Sequence, residues 1–242
     1  FSPKKLYDFI KMKAVLVSGT SIDFKIDKEL IIDSTPNYEK FLFKKGIADF
    51  LDIKSKNTAK LFEKYFAIVK PINDREKCEI FISFNQNEKS SLISFCNTIE
   101  TPDGGSHENG FKNGILKAIK LYGQKNQIAK IANININDLA DYSDIIISIF
   151  INEPSFEGQT KKRIIMPKLQ KQLETIIQNE FLLWLNSNKK ITKTLIETLI
   201  ERSLLRTDLT KIKELERKSI KERNKLPGKL DDCSSKQMEG TE

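Results

Sequence analysis

A nearly continuous apolar run, Ile145-Ile146-Ile147-Ser148-Ile149-Phe150, constrains the fold of this chain more than any other feature. β-Branched residues favour extended backbone, and a run without polar alternation is typical of a strand that is buried on both faces. Strand-like segments precede this run, and a helical pattern separates them from it. This order predicts an α/β fold with two layers, a sheet and covering helices.

The remaining periodicities give the other elements. Alternation of apolar and polar residues predicts strands at 22–26, 30–32, 38–43, 65–69, 78–84 and 92–96. Helices are predicted from the Ser2 cap to Gly19, over 46–51, and from Phe111 to Tyr122, where apolar residues share one face. From Pro167 onward the pattern is helical, with a break at Asn186-Ser187-Asn188 between two long helices. Trp184 and the leucines of these helices are predicted to be core residues.

Composition excludes several classes of protein. The length of 242 residues permits a core that needs no disulfide or structural metal, and we expect no metal site. Three widely spaced cysteines without a C-x-x-C pair, together with one histidine, fit a reducing compartment, so a cytoplasmic location is expected. No apolar run reaches about 18 residues and no signal-peptide pattern is present, so we expect no membrane partner. Because the chain lacks an initiator methionine, we expect it to be a fragment.

Positive charge is concentrated near the end of the chain. The formal net charge is +8, and residues 202–229 hold ten Lys or Arg and four Asp or Glu, which leaves a net of +6 in that stretch. A basic strip attracts polyanions, among which nucleic acid is the commonest. A solvated basic helix explains the same pattern equally well.

Two glycine-containing loops could carry chemistry. Asp103-Gly104-Gly105 leads into a predicted helix, where backbone N–H groups can hold phosphate, but its spacing is not that of a P-loop. A tight turn is therefore favoured there, with His107 in a structural role. The second loop, residues 156–161, follows the buried strand, where open α/β sheets place ligand contacts. In it Lys161 offers a compact charge and Gln159 a neutral donor, although a solvated loop remains the simpler alternative.

Taken in order, four segments resemble the B subunits of bacterial type IIA topoisomerases. Residues 97–107 (Asn-Thr-Ile-Glu-Thr-Pro-Asp-Gly-Gly-Ser-His), 109–111 (Asn-Gly-Phe), 156–161 (Phe-Glu-Gly-Gln-Thr-Lys) and 226–233 (Leu-Pro-Gly-Lys-Leu-Asp-Asp-Cys) carry the resemblance. Residues 11–16 and 181–186 are closer to the topoisomerase IV subunit than to the gyrase subunit. The chain departs from the family pattern at Ser106, where threonine is usual, and at Asp231, where alanine is usual.

The resemblance implies a transducer domain with a ribosomal-protein-like βαβ layer, a left-handed crossover and long C-terminal helices. The implied boundaries are 1–20 for the end of the ATPase domain, 21–166 for the α/β layer, 167–224 for the helices and 225–242 for the entry to the Toprim domain. Such a domain couples ATP binding and hydrolysis to DNA strand passage, decatenation and relaxation. The intact protein would be an ATP-hydrolysing isomerase that uses ATP and Mg²⁺. This chain alone is expected to bind neither and to be inactive.

The resemblance also assigns roles to residues and partners. Lys161 would bind the γ-phosphate and contribute to catalysis, with Gln159 beside it. Outward basic residues would contact DNA phosphates, namely Arg202, Arg206, Lys211, Arg217 and Lys218. The implied partners are the preceding ATPase domain, a second B subunit, the A subunit of topoisomerase IV and duplex DNA. Three alternatives stay open: a gyrase subunit, a non-enzymatic basic nucleic-acid-binding module, and a DNA-repair ATPase with the same two-domain arrangement.

Overall fold

The computed structural model describes residues 2–54, 58–88 and 90–223, without the side chains of 216 and 218–223. The side chain of Lys218 and the expected Toprim entry at 225–242 therefore lie outside the described residues. The chain separates into two compact units, residues 1–200 and residues 201–242.

The elements largely follow the predicted order. The helices are α1 (Pro3–Leu16), α2 (Ile47–Lys54), α3 (Ser106–Lys125), α4 (Asn137–Ala140), α5 (Pro167–Ser187) and α6 (Lys189–Arg223). The strands are β1 (Ser21–Lys25), β2 (Tyr38–Leu42), β3 (Phe66–Asn73), β4 (Glu76–Phe84), β5 (Ser91–Cys96), β6 (Ile99–Glu100) and β7 (Ser143–Phe150). Strands β1 and β2 form a two-stranded sheet, and the other five form a sheet in the order β3-β4-β7-β5-β6.

Strand β7 occupies the centre of the larger sheet, antiparallel to β4 and parallel to β5. Its residues from Ser143 to Ile149 are all buried. Ile145 and Ile147 belong to one apolar cluster, and Ile146 belongs to the cluster on the opposite face. The prediction of a strand buried on both faces is confirmed.

Helices α3 and α5 cover one face of this sheet and approach each other closely at two glycines of α3. A Cβ atom on Gly110 would lie 2.7 Å from the carbonyl oxygen of Gln170, and one on Gly114 would lie 2.8 Å from that of Glu174. Alongside this contact the Glu174 carboxylate accepts hydrogen bonds from Asn113 and Lys117. These bonds lower the pKa of Glu174, that from Lys117 most. The two-layer prediction is confirmed, with α5 held directly against α3.

The opposite face packs against the first elements of the chain. Phe81 and Phe95 of the sheet share an apolar cluster with Tyr7 of α1, Phe41 of β2 and Leu51 of α2. Burial, followed by a hydrogen bond to Glu39, raises the pKa of Tyr7 to about 12. The domain boundaries implied by the resemblance, and the left-handed crossover between β5 and β7, stay predictions.

Two local expectations differ in outcome. The predicted strand at 30–32 is wrong, because Lys28–Leu30 forms a 3₁₀ turn capped by Asp27, whose carboxylate accepts the N–H of Glu29. The break between the long helices is confirmed: α5 ends at Ser187, and the Asn188 side-chain amide donates to the carbonyl of Trp184 at 2.7 Å. In the part of the chain that the structure describes, no helix is long and apolar enough to cross a membrane.

Candidate functional site: a pinned hairpin that presents Lys161

Residues 155–165, here called the Lys161 hairpin, form a narrow excursion between β7 and α5. The N–H of Ile165 donates to the carbonyl of Ser155 at 2.9 Å, and that of Glu157 donates to Arg163 at the same distance. An antiparallel bridge joins Phe156 to Ile164. The predicted loop after the buried strand is therefore a hairpin with a defined path.

The tip of the hairpin carries the two predicted ligand-binding residues. Gln159 and Lys161 are both exposed, and neither side chain has a hydrogen bond or ion pair with another described residue. Lys161 has φ +55°, in the left-handed region that non-glycine residues seldom occupy, and Gly158 has φ +80°. The tip thus turns tightly and leaves an ammonium group and an amide free to meet a partner.

The base of the hairpin is buried and fixed against the start of α3. Ile164 is 1% exposed; its N–H donates to the carbonyl of Gly104 at 3.1 Å, and its carbonyl accepts the N–H of Ser106 at 2.9 Å. A Cβ atom on Gly105 would lie only 2.2 Å from the Ile164 carbonyl oxygen. The interpretation of the two-glycine segment as a tight turn is confirmed. The absence of a side chain at Gly105 lets the turn lie directly against the backbone of Ile164.

A buried polar cluster underlies the same turn. His107 has no exposed surface, and its Nε2 lies 3.1 Å from the hydroxyl of Thr101. The Ser94 hydroxyl lies 2.7 Å from that of Thr101 and donates to Glu108 at 2.8 Å. Burial, with a smaller contribution from Lys112, lowers the pKa of His107 to about 4. A neutral, hydrogen-bonded imidazole agrees with the predicted structural role.

Asn97, the first residue of the 97–107 segment, fixes the chain between β7 and the Lys161 hairpin, a role that no prediction above assigned to it. Its amide donates to the carbonyl of Ile151 at 2.9 Å and accepts the N–H of the same residue at 2.9 Å, where the chain leaves β7. The neighbouring Thr98 is held by Lys13 of α1, whose Nζ donates to its carbonyl at 2.6 Å and to its hydroxyl at 2.8 Å. Burial lowers the pKa of Lys13. The local sequence signal was an asparagine in a two-residue turn between strands, where positive φ is required.

The predicted DNA-binding residues of α6 differ in exposure. Arg202 is only 9% exposed, so the expectation that it points outward is wrong. Arg206 is half-buried, whereas Lys211 and Arg217 are exposed, and Lys211 lies 3.4 Å from Asp208. Arg206 and Arg217 are separated by roughly three helical turns and share a face.

The described residues contain no group of three or more His, Cys, Asp or Glu side chains arranged to hold a metal ion. The chemistry available at the hairpin is that of donors and positive charge. A free ammonium and a free amide, two residues apart on a fixed base, suit the recognition of an anion such as a phosphate.

Comparison with known proteins identifies the family of this chain. The family model described as DNA gyrase B matches residues 46–215. The chain belongs to this family, the B subunits of bacterial type IIA topoisomerases. It is 36% identical over its whole length to the B subunit of DNA topoisomerase 4 from Rickettsia conorii. The chain spans 37% of the length of that relative.

Two solved structures of the gyrase B family share the fold. The 43K ATPase domain of Thermus thermophilus gyrase B, in complex with an aminocoumarin, has a TM-score of 0.72 and 25% identity, over 89% of this chain and 57% of that one. The topoisomerase IV ATP-binding domain of Francisella tularensis, in complex with a small-molecule inhibitor, has a TM-score of 0.70 and 26% identity, over 84% and 54% of the two chains. The family resemblance drawn from the four motifs is confirmed.

Proposed function

We propose that this chain is the transducer region of the B subunit of an ATP-dependent type II topoisomerase of the topoisomerase IV type. It couples ATP binding and hydrolysis to DNA strand passage, decatenation and relaxation. The observation that carries the proposal is the Lys161 hairpin, whose base is buried and whose tip offers an ammonium group that has no partner among the described residues. Family membership and the 36% identity to a topoisomerase IV protein support it.

Lys161 binds the γ-phosphate of ATP held by the preceding ATPase domain, and Gln159 donates beside it. ADP lacks this phosphate, so the contact exists in one nucleotide state and not in the other. A hydrogen bond between charged groups contributes about 1.5–3 kcal/mol. A contact that differs between two states biases the equilibrium between two domain arrangements, whereas an equal contact does not. The same cation offsets charge that develops during phosphoryl transfer, which makes Lys161 catalytic.

The short connection between the Lys161 hairpin and α5 supports a coupling of this contact to the long helices. The return strand of the hairpin contains the buried Ile164, and α5 begins three residues after Ile164 at Pro167. Because α5 packs closely on Gly110 and Gly114 of α3, a displacement of the hairpin base moves the two helices together. Helix α6 follows α5 after a single residue, Asn188.

The remaining parts of the proposal concern regions and partners. We assign 1–20 to the end of the ATPase domain, 21–166 to an α/β layer with a left-handed crossover, 167–224 to the lever helices and 225–242 to the Toprim entry. The partners are a second B subunit, the A subunit and duplex DNA, in the cytoplasm. Lys211 and Arg217 are proposed to contact DNA phosphates without sequence preference, with Arg206 on the face of Arg217. Mg²⁺ accompanies ATP in the intact protein, and no residue described here is proposed as its ligand.

The test is Lys161→Ala in the intact B subunit reconstituted with the A subunit. Loss of one charged hydrogen bond should lower ATP turnover by about tenfold or more and reduce decatenation further. Lys162→Ala is the matched control, because it removes an exposed lysine of the same hairpin and should leave turnover unchanged. Unchanged ATP hydrolysis in Lys161→Ala would contradict the assignment. The chain alone should not hydrolyse ATP.

The subtype has its own measurement. The reconstituted enzyme should decatenate linked circles and relax supercoiled DNA. Introduction of negative supercoils into relaxed DNA would instead identify the gyrase alternative.

A further inference from the structure

Ser106 connects the start of α3 to the return strand of the Lys161 hairpin through two bonds. Its N–H donates to the carbonyl of Ile164 at 2.9 Å, and its Oγ accepts the N–H of Met166 at 2.8 Å. The residue is 7% exposed. The hydroxyl therefore holds the backbone immediately before α5, five residues from Lys161.

At this junction Ser106 contributes a hydrogen bond through its side chain. The neighbouring contacts, from Ile164 to Gly104 and from Ser106 to Ile164, are made by backbone atoms. Gly105 has φ +128° and no room for a Cβ atom, so that position cannot supply a side chain. The residue after Met166, Pro167, begins α5 and has no N–H. The N–H of Met166 is thus the last backbone donor before α5 that can fasten the strand.

We propose that Ser106 is a positioning residue for Lys161: its hydroxyl fixes the return strand so that the ammonium group is presented at one place. The proposal rests on the proposed contact of Lys161 with the γ-phosphate. Without the hydroxyl, the N–H of Met166 loses its hydrogen-bond acceptor, and the return strand can move away from α3 so that this N–H donates to water instead. Lys161 would then reach the phosphate from a less well-defined base.

The test is a double-mutant cycle in the intact B subunit, reconstituted with the A subunit, using Ser106→Ala, Lys161→Ala and the two together. Ser106→Ala alone should lower the kcat for ATP hydrolysis by about fivefold, the effect of one lost hydrogen bond. In the Lys161→Ala background the same change should have almost no further effect, because the group that it positions is absent. A structural role unrelated to Lys161 would give independent, multiplicative losses.

Two further comparisons separate the hydroxyl from packing. Ser106→Thr and Ser106→Val have nearly the same shape, and only the threonine variant keeps the acceptor, so the valine variant should be about fivefold slower than the threonine variant. Ser143→Ala is the matched control: it deletes another buried hydroxyl, which donates to the carbonyl of Leu139 at 2.8 Å, at the other end of β7. It should leave turnover unchanged.

The outcomes distinguish the two proposals. If Lys161→Ala has no effect on hydrolysis, the proposed function fails first. If Lys161→Ala is slow but Ser106→Ala is unaltered, or lowers the rate equally in both backgrounds, the positioning role is wrong while the function stands. If Ser106→Ala does not fold, the threonine and valine pair decides, and equal rates in these two would overturn the role of the hydroxyl.

Discussion

Acidification should destabilise the fold around the hairpin base by charging His107. In the folded chain its imidazole has no exposed surface, and burial lowers its pKa to about 4 from a usual value of 6.5. In the protonated ring both nitrogens carry a hydrogen, and Nδ1 has no hydrogen-bond partner among the described residues. The unfolded chain therefore binds the proton more readily than the folded chain.

The sign and size of the stability change follow from this difference in pKa between the folded and unfolded chain. Between the two pKa values the unfolded state carries more protons, so stability is fully present above about pH 6.5 and is lost as the pH falls toward 4. Each pKa unit corresponds to about 1.4 kcal/mol, so the full effect approaches about 3 kcal/mol. At about pH 5, before most carboxylates titrate, about 2 kcal/mol should be lost.

The assay is urea unfolding of the chain at about pH 7.5, 6 and 5, compared with His107→Gln, which keeps a polar group but cannot titrate. The difference between the two proteins in free energy of unfolding should shrink by about 2 kcal/mol from about pH 7.5 to about pH 5. Because His107 is the one histidine of the chain, its imidazole resonances also report its pKa directly. A midpoint near 6.5 in the folded protein would refute the reasoning.

Two other perturbations probe the packing that carries the site. Gly114→Ala should lower the free energy of unfolding, measured in urea, by about 1–3 kcal/mol, because the new Cβ would lie 2.8 Å from the Glu174 carbonyl oxygen. Asn109→Ala, at an exposed position of the same helix, should change stability little. Equal stability of the two variants would show that α5 can move away. Cys78 and Cys96 should resist iodoacetamide at about pH 8 until the chain unfolds, because burial raises their pKa to about 11 and about 12. Peptide mass spectrometry would measure the labelling, and rapid labelling of either cysteine in the native chain would contradict this.

Periodic patterns of apolar residues predicted the main elements of the fold correctly. The run ending at Phe150 predicted a doubly buried strand, and the apolar positions from Phe111 to Ile119 predicted the covering helix, since both follow from the geometry of a single element. The error at 30–32 arose because the Asp27 side chain accepts a hydrogen bond from the backbone N–H of Glu29, which competes with β propensity.

The supports of the candidate site could not be predicted in this way. Lys13 and Thr98 are 85 residues apart, and Asn97 and Ile151 are 54 apart, so each contact depends on how separate elements pack. Such contacts leave no period in the sequence. The prediction that Arg202 is exposed was likewise wrong, because a residue's position along a helix does not determine which other residues cover its side chain. By contrast, the exposed tip at Gln159 and Lys161 followed from the glycine and polar residues of the loop.

The strength of the hairpin base decides how a phosphate contact would be transmitted. Detaching the base exposes Ile164, which costs about 1.5–3 kcal/mol, and breaks three hydrogen bonds with Gly104 and Ser106, at about 1 kcal/mol each. The contact proposed for Lys161 contributes about 1.5–3 kcal/mol. Because the base resists with more free energy than the proposed contact at the tip can supply, binding of a phosphate at Lys161 would move the hairpin and α5 together and would not detach the hairpin. Weakening the base at Ser106 shifts this balance, so that a phosphate would be bound with less of its binding energy reaching α5.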